Sequence, residues 1–452
     1  MASPSGVNPR IFGAYDVRGV YPADLDENTA YRIGRAFAQY LAVSPIAVGR
    51  DMRLSSPALA QAFIRGVTEQ GADAIDLGLT TTDELYFAVG KYGYPAGAMI
   101  TASHNPKQYN GIKMCRENAV SISSETGGFA IRDLAVSGQF TEPARKGDVT
   151  RRDVSDAYVE HCLSFIDVAS VKPFRIAVDA GNGMAGMLIP RVFEKLPCEL
   201  IPLYFELDGS FPNHPASPIE PENTEELRRI VPERGCEMGV AFDGDADRMF
   251  LVDEHGRLLG GDMVTALVAR SLLRTQRGAT ILYNLICSRS VPEVIERDGG
   301  RAVRTRVGHS FIKARMREEN AVFGGEHSGH FYFRDNWYAD SGLIAFLIVL
   351  ELVSLSGKTV SELVAEVDTR FRSGEVNSDT HDQKGRMEAI ERIYAAQGAA
   401  IDHLDGVTIA FPTWWANVRP SNTEPLLRLN VEADTQDEME RRRDELLAVI
   451  RQ

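Results

Sequence analysis

Met238-Gly-Val-Ala-Phe-Asp-Gly-Asp-Ala-Asp-Arg248 joins a short apolar run of strand composition to a loop of alternating acids. A helical pattern over 224–233 precedes it, and before that comes a strand-like run over 199–205. Further back lie an apolar helix over 187–196, a Gly-rich turn and the strand Arg175-Ile-Ala-Val-Asp179. The order is strand, helix, strand, helix, strand, motif loop. It recurs on both sides of this segment. Toward the N-terminus, Ile46-Ala-Val48 leads through the polar loop Gly49-Arg-Asp-Met-Arg-Leu-Ser-Ser56 to a helix that Pro57 opens, with Ser56 as N-cap and Gly71 as stop. A strand over 74–77, a helix over 82–92 and Ala98-Met-Ile100 then run into Thr101-Ala-Ser-His-Asn-Pro106. Toward the C-terminus, 280–283, 291–297, 302–306, 311–319 and 321–323 repeat the order before Gly325-Glu-His-Ser-Gly-His330.

Alternating strands and helices imply layered α/β units with largely parallel pairing. Three such units would place their motif loops at equivalent strand ends, where α/β folds bind ligands. Beyond about residue 368 the texture changes to short strands (371–377, 407–411, 426–431) and two charged helices (383–396, 436–450). The expected architecture is three similar α/β domains with mixed, largely parallel sheets and a smaller C-terminal α+β domain, all lining one central cleft. The divisions expected are 1–150, 151–253, 254–367 and 368–452.

The bulk properties narrow the function. At 452 residues the chain is too long for one core. A net charge of −14 argues against a nucleic-acid surface, though clustered arginines can still make one basic cleft. Cysteines 115, 162, 198, 236 and 287 are widely spaced, with no Cys-x-x-Cys pair, which favours reduced thiols over a disulfide framework or a zinc site. No charged-then-apolar leader pattern opens the chain, and the apolar run 343–353 is too short for a bilayer and reads as a buried helix. A cytoplasmic protein without membrane or nucleic-acid partners is expected.

Four loops carry candidate chemistry. Ser103 beside His104, on a sharp turn after a strand, is the presentation of a nucleophile, and also that of a capping serine. In an extended loop Asp243, Asp245 and Asp247 would point the same way, and a hard divalent cation such as Mg2+ or Ca2+ would relieve their repulsion. A solvated acidic turn and an aspartyl nucleophile at Asp243 remain alternatives. An EF-hand is disfavoured, because Arg248 stands where that loop needs Gly and 249–252 reads as a strand. Gly181-Asn-Gly-Met-Ala-Gly186 has the dinucleotide spacing, yet it reads better as a tight connection. Between strands of the last domain, Trp414-Trp-Ala-Asn-Val-Arg-Pro-Ser-Asn-Thr-Glu-Pro425 is expected to be a Pro-bounded loop suited to an oxyanion such as phosphate. Lys113, Gly308-His309, and Glu326 with Ser328 are further polar positions, each weak alone.

Together these loops resemble those of the α-D-phosphohexomutases. The matching signatures are Thr101-Ala-Ser-His-Asn-Pro106, Asp243-Gly-Asp-Ala-Asp-Arg248, Gly325-Glu-His-Ser-Gly-His330 and Arg419-Pro-Ser-Asn-Thr-Glu-Pro425, with Tyr15-Asp-Val-Arg-Gly19 near the start. They span nearly the whole chain in the family's order. The resemblance implies that Ser103 is a phosphoserine, and that Asp243, Asp245 and Asp247 hold Mg2+ with a phosphoryl oxygen on Ser103. It implies proton transfer by His104 or Lys113, and sugar contacts from Glu326, Ser328, Gly308 and His309. Arg419, Ser421, Asn422, Thr423 and Arg428 would grip the non-reacting phosphate, while Tyr15, Arg18 and Arg248 line the cleft. A bisphosphorylated hexose would be intermediate and activator, in a monomer or homodimer whose partner is a small phosphosugar.

Two departures stand out. Ile286 precedes Cys287-Ser288 where some relatives have Lys, so any role of that lysine is absent or shifted to Arg289. Ala102 and Ala246 replace the Gly often found there. The Ser421-Asn422-Thr423 run is of the mannose/glucose type rather than the Ser-Gly-Thr of glucosamine enzymes. The implied reaction is interconversion of hexose 1- and 6-phosphates, mannose and also glucose. The alternatives are a phosphoglucosamine mutase, a Mg2+-dependent phosphatase and a non-catalytic phosphosugar-binding protein.

Overall fold

The computed structural model describes residues 6–421 and 426–452, apart from the side chain of His309. Among these residues the strands form four sheets. The first contains β1 (Val17–Val20), β2 (Ile46–Arg50), β3 (Ala74–Leu79), β4 (Ala96–Ile100), β5 (Tyr109–Arg116) and β6 (Val149–Arg151), with helices α1 (Glu27–Leu41), α2 (Ser56–Glu69), α3 (Thr82–Tyr92) and α4 (Phe129–Ser137). After α5 (Ser155–Leu163), the second holds β7 (Arg175–Asp179), β8 (Glu199–Leu203), β9 (Met238–Phe242) and β10 (Met249–Asp253), flanked by α6 (Ala185–Phe193) and α7 (Glu225–Glu233). Following α8 (Gly261–Leu273), the third has β11 (Thr280–Asn284), β12 (Arg301–Thr305), β13 (Phe323–Gly325), β14 (Phe331–Phe333) and β15 (Ala339–Asp340), with α9 (Ser290–Arg297) and α10 (His309–Glu319). Helices α11 (Gly342–Ser356) and α12 (Val360–Ala365) lead to the last sheet. It comprises β16 (Phe371–Asp379), β17 (Ala400–Asp402), β18 (Val407–Ala410), β19 (Trp414–Pro420) and β20 (Leu426–Ala433), with α13 (Gln383–Ala395) and α14 (Gln436–Ile450).

The repeat is visible in strand order. β5-β4-β2-β3, β10-β9-β7-β8 and β14-β13-β11-β12 are the same arrangement three times. In each, the central strand pairs in parallel with both neighbours, and the third strand folds back antiparallel on the fourth. The motif loops are therefore the connections of antiparallel pairs, each leaving the carboxyl end of a strand parallel to the sheet centre. The fourth sheet, β16-β20-β19-β18-β17, is antiparallel throughout.

Apolar pattern decided most of this, and polar detail moved the edges. α2 begins at Ser56, one residue before the expected start, with Ser55 at the cap position. The Ser56 hydroxyl is drawn instead to Asp51 Oδ1 at 2.5 Å. β13 runs two residues later than expected, because Gly324 and Gly325 let the backbone approach Met316 and Thr265 closely. The expected loop over 414–425 is a central strand up to Pro420, with Trp414, Ala416 and Val418 buried in the core of the last domain. Here the alternation of apolar residues outweighed the Arg-Pro-Ser end. α11 is buried along nearly its whole length and packs on α5, α8 and β10, so its apolar run seals the second unit to the third. A common apolar core runs through the first three units, whereas the fourth has its own. No helix of the described residues is long and apolar enough to cross a membrane.

Candidate active site

β4 and β5 present the 101–108 connection, and Ser103 sits there fully buried with φ of +51°. Its backbone N–H donates to Thr101 Oγ1 at 2.9 Å, and Arg18 Nη1 donates to the Ala102 carbonyl at 2.7 Å. The Ser103 hydroxyl donates to Asp243 Oδ2 at 2.6 Å. His104 Nδ1 lies 3.3 Å from that hydroxyl and 2.5 Å from Arg248 Nη2. Since a guanidinium only donates, Nδ1 is the acceptor and the proton is assigned to Nε2. Burial, reinforced by Arg248 and Arg18, holds His104 well below its ordinary pKa, so the imidazole is neutral.

The acids converge, but by a turn rather than by extended alternation. Ala246 has φ of +66° and the Ala246 N–H donates to the Asp243 carbonyl at 3.1 Å. One carboxylate oxygen from each of Asp243, Asp245 and Asp247 lies within 4.8 Å of the others. Lys113 Nζ bridges Asp245 Oδ2 at 2.7 Å and Asp247 Oδ2 at 2.5 Å. Burial opposes ionisation of all three acids. Repulsion from Asp247 and Asp245 adds to burial at Asp243 and pushes it well above the carboxylate range. At Asp245 and Asp247 the ammonium of Lys113 outweighs the penalty and holds both below that range. Lys113 is raised in return, its burial overcome by Asp245 and Asp247. Asp245 Oδ1 and Asp247 Oδ1 are buried without a hydrogen-bond partner. Orphaned carboxylate oxygens in an all-oxygen cluster suit a hard divalent cation. Glu254, the acid that follows β10, accepts from the Ser361 N–H at 3.2 Å, away from the cluster.

The third loop joins the second by backbone. Arg248 and His330 form an antiparallel bridge, and the Met249 N–H donates to Gly329 O at 3.2 Å. Glu326 is buried and raised by that burial, accepting from Tyr332 Oη at 2.6 Å, Gly308 N at 3.1 Å and Asn284 Nδ2 at 3.3 Å. The Ser328 hydroxyl lies 3.1 Å from His330 Nδ1, and His330 Nε2 is 3.7 Å from Asp247 Oδ1. His330 thus links the third motif loop to the acid loop, a position its place at the end of the quoted motif did not disclose. Gly308 has φ of +129° and packs on the Tyr15 phenol, so the N-terminal segment closes over this side. Burial raises Tyr15, with Glu326 and Asp405 adding to it and Arg306 and Arg419 opposing, which places groups of the fourth domain beside the third loop.

In that fourth domain Arg419 and Arg428 face each other across β19 and β20 and share Glu375 of β16. Arg428 Nη2 lies 3.4 Å from the Ser421 hydroxyl. Glu375, which sequence reasoning missed, balances two guanidinium groups that would otherwise repel. Asn422 and Thr423 lie outside the described residues. Arg289 faces the fourth domain rather than the acids: its Nη1 donates to Phe411 O at 2.9 Å, and its backbone N–H to Glu432 Oε1 at 3.0 Å.

The Gly181 turn is a buttress. Met184 N donates to the Gly244 carbonyl at 3.0 Å, and Gly181 N to Asp179 Oδ1 at 2.8 Å. Asp179 also holds His214, at 3.1 Å from Nε2, while Asn213 Nδ2 donates to Asn182 Oδ1 at 2.8 Å. Burial works against a charged His214, but the hydrogen bond and charge of Asp179 prevail and raise it above its ordinary value. His214 and Asn213 also escaped the sequence reading, because only the folded loop brings them to Asp179 and Asn182.

A buried serine hydroxyl on a carboxylate cluster, with a separate pair of arginines, defines a centre for moving an anionic group. Models of the phosphoglucomutase/phosphomannomutase family match in order: α/β/α domain I over 9–141, domain II over 156–256, domain III over 260–371 and the C-terminal domain over 375–449. The chain is 42% identical over 426 residues to the phosphohexose mutases of Xanthomonas campestris pv. campestris, covering 93% of this chain and 94% of the relative. It is 41% identical over 451 residues to a phosphomannomutase of Escherichia coli, covering 97% and 99%. A solved phosphoglucomutase/phosphomannomutase family protein from Burkholderia thailandensis superposes with a TM-score of 0.90 at 32% identity, covering 98% of this chain and 97% of that one. The chain belongs to the phosphoglucomutase/phosphomannomutase family of phosphohexose mutases.

Two outcomes follow from the geometry. A Cβ at position 244 would run into the Ser103 carbonyl oxygen, so Gly244→Ala separates the serine from the acids. Turnover is expected to fall about a hundredfold or more, with the unfolding midpoint little changed in the same preparation. His214→Gln removes a charge bonded to Asp179. Because the folded His214 is raised, the stability it confers is full below about pH 6.5 and fades as pH rises through the raised value. Urea unfolding should show a deficit of about 1–2 kcal/mol near pH 6 that shrinks toward about pH 9.

Proposed function

We propose that the chain interconverts hexose 1-phosphate and hexose 6-phosphate, favouring mannose and also accepting glucose. Ser103 carries the phosphoryl group, and a bisphosphosugar is the intermediate. The observation that carries this reading is the 2.6 Å hydrogen bond from the buried Ser103 hydroxyl to Asp243, inside a cluster of three acids whose oxygens lie within 4.8 Å of one another. Phosphoserine 103 would lose its Oγ–P bond as a sugar hydroxyl forms the new O–P bond, and the hydroxyl proton passes to a neighbouring base. His104, whose Nδ1 lies 3.3 Å from the Ser103 hydroxyl, is the candidate for that base. Lys113, held charged between Asp245 and Asp247, suits charge neutralisation instead. The mannose preference rests on the Ser421-Asn422-Thr423 run and on the name of the Escherichia coli relative.

Asp243, Asp245 and Asp247, with a phosphoryl oxygen on Ser103, would hold Mg2+, which when bound spreads the charge of the moving group. Glu326 and Ser328 offer acceptor and hydroxyl to sugar oxygens, with the Gly308-His309 turn and Tyr15 beside them, while Arg18 and Arg248 line the side nearest Ser103, where Tyr15 was expected too. Arg419, Ser421 and Arg428, with Asn422 and Thr423, would take the phosphate that is not reacting. A clamp on a separate domain lets the intermediate present either phosphate to one serine, and closure keeps water out.

Mannose, glucose and glucosamine 1-phosphates, each assayed with its bisphosphosugar, are expected to rank mannose first and glucosamine last. A glucosamine preference would replace this reading with the aminosugar one. Ser103→Ala should lose at least about a thousandfold in turnover. Intact mass should show one phosphoryl group mapping to Ser103, and phosphate on Asp243 instead would point to an aspartyl phosphatase. Arg419→Ala should raise KM about tenfold or more while phosphoserine is retained, and an unchanged KM would remove the clamp.

A further inference from the structure

Behind the Ser103 loop lies a buried guanidinium to which the chemistry above gives no part. Arg53, 1% exposed, stands in the connection between β2 and α2. Its Nη2 donates to the carbonyl oxygens of Ser103 and Asn105, both at 2.6 Å. Its Nη1 donates to those of Pro106 and Tyr109, both at 3.0 Å. Asp51 Oδ2 is 3.3 Å from Nε, and Asp51 is itself held by the Ser56 hydroxyl at 2.5 Å and by the Arg53 backbone N–H at 3.0 Å. The guanidinium carbon lies 5.2 Å from the ring centroid of Phe211, which belongs to the second unit. Gly209 packs so closely that a Cβ there would come within 2.5 Å of Arg53 Cα.

We propose that Arg53 is a positioning residue for the phosphoryl-carrying loop, fixing Ser103 Oγ against Asp243 by collecting the loop's carbonyl groups. Ser103 holds a positive φ that an L-residue with a Cβ adopts only under constraint. Four carbonyls turned toward one buried cation supply that constraint, and that of the fully buried Ser103 would otherwise be a desolvated acceptor. A planar fork with donors in fixed directions can serve several acceptors at once, whereas an ammonium fans three donors from one point. Phe211 braces the fork and Gly209 the Arg53 backbone, both from the unit that supplies Asp243, so serine and acid share one support. The role matters because Ser103 Oγ must return to the same place after each transfer, and misplacement of a reacting atom by about 1 Å costs about a hundredfold in rate.

The proposal rests on Ser103 being the phosphoryl carrier. Its test is Arg53→Lys, with Phe211→Ala as a second variant that leaves Arg53 and its donors in place. Single-turnover transfer from phosphorylated enzyme to sugar phosphate is measured, normalised to the phosphoserine content found by intact mass, alongside steady-state kcat and KM. In Arg53→Lys, transfer and kcat should fall about a hundredfold with KM within about threefold of the parent. Phe211→Ala should lower transfer by about tenfold. A merely structural role would reduce the folded fraction and leave the rate per phosphorylated molecule unchanged. A transfer rate within about threefold of the parent in Arg53→Lys overturns the proposal. Should that variant fail to fold, an unchanged rate in Phe211→Ala overturns it. Ser103→Ala, run in parallel, separates the two readings. Full activity there removes the phosphoserine itself, whereas inactivity there beside an unimpaired Arg53→Lys removes only the role of Arg53.

Discussion

Everything around the cleft depends on keeping Asp243, Asp245 and Asp247 together out of water. Like charges at this spacing in a poorly polarisable interior repel by several kcal/mol. The fold answers with cations drawn from other parts of the chain. Lys113, on β5 of the first unit, crosses to Asp245 and Asp247 of the second. Arg248 lies 3.5 Å from Asp243 Oδ2, and its strand bridge to His330 brings in the third unit. Charge balance at one point thus joins groups from three sheets that already share an apolar core. The remaining imbalance falls on Asp243, the residue to which Ser103 donates. A buried carboxylate with two acidic neighbours attracts a metal or a proton.

The same arrangement separates two tasks that a mutase must keep apart. The groups proposed to act on the moving phosphoryl group lie at the ends of strands in a shared apolar core. Those proposed to take the other phosphate sit on an antiparallel sheet with its own core.

Sequence periodicity predicted the strand and helix series because apolar burial sets it, and burial leaves its period in the residues. The helix over 82–92 agrees with α3 to the residue. The acids, the serine and the paired arginines were legible for another reason: their types are costly to place together without a purpose. What escaped was every interaction made by ordinary residues at long range. Arg53 stood in the polar loop over 49–56 without a role, because its acceptors lie 50 to 56 positions further on. His214 and Glu375 look like surface residues until the fold brings them to Asp179 and Arg419. The strand over 414–420 was hidden for a local reason, since Arg-Pro-Ser at its end carries turn chemistry that outweighed its apolar alternation.

The seam between the third and fourth domains is built from charges and carbonyls rather than apolar surface. Arg289 reaches Phe411 O, Val307 N donates to Asp405 Oδ2 at 3.2 Å, and Arg304 pairs with Asp402. Such contacts exchange readily for water and weaken as salt screens them. The hold of the fourth domain on the third therefore depends on the ionic composition of the solvent more than does the apolar core that joins the first three units.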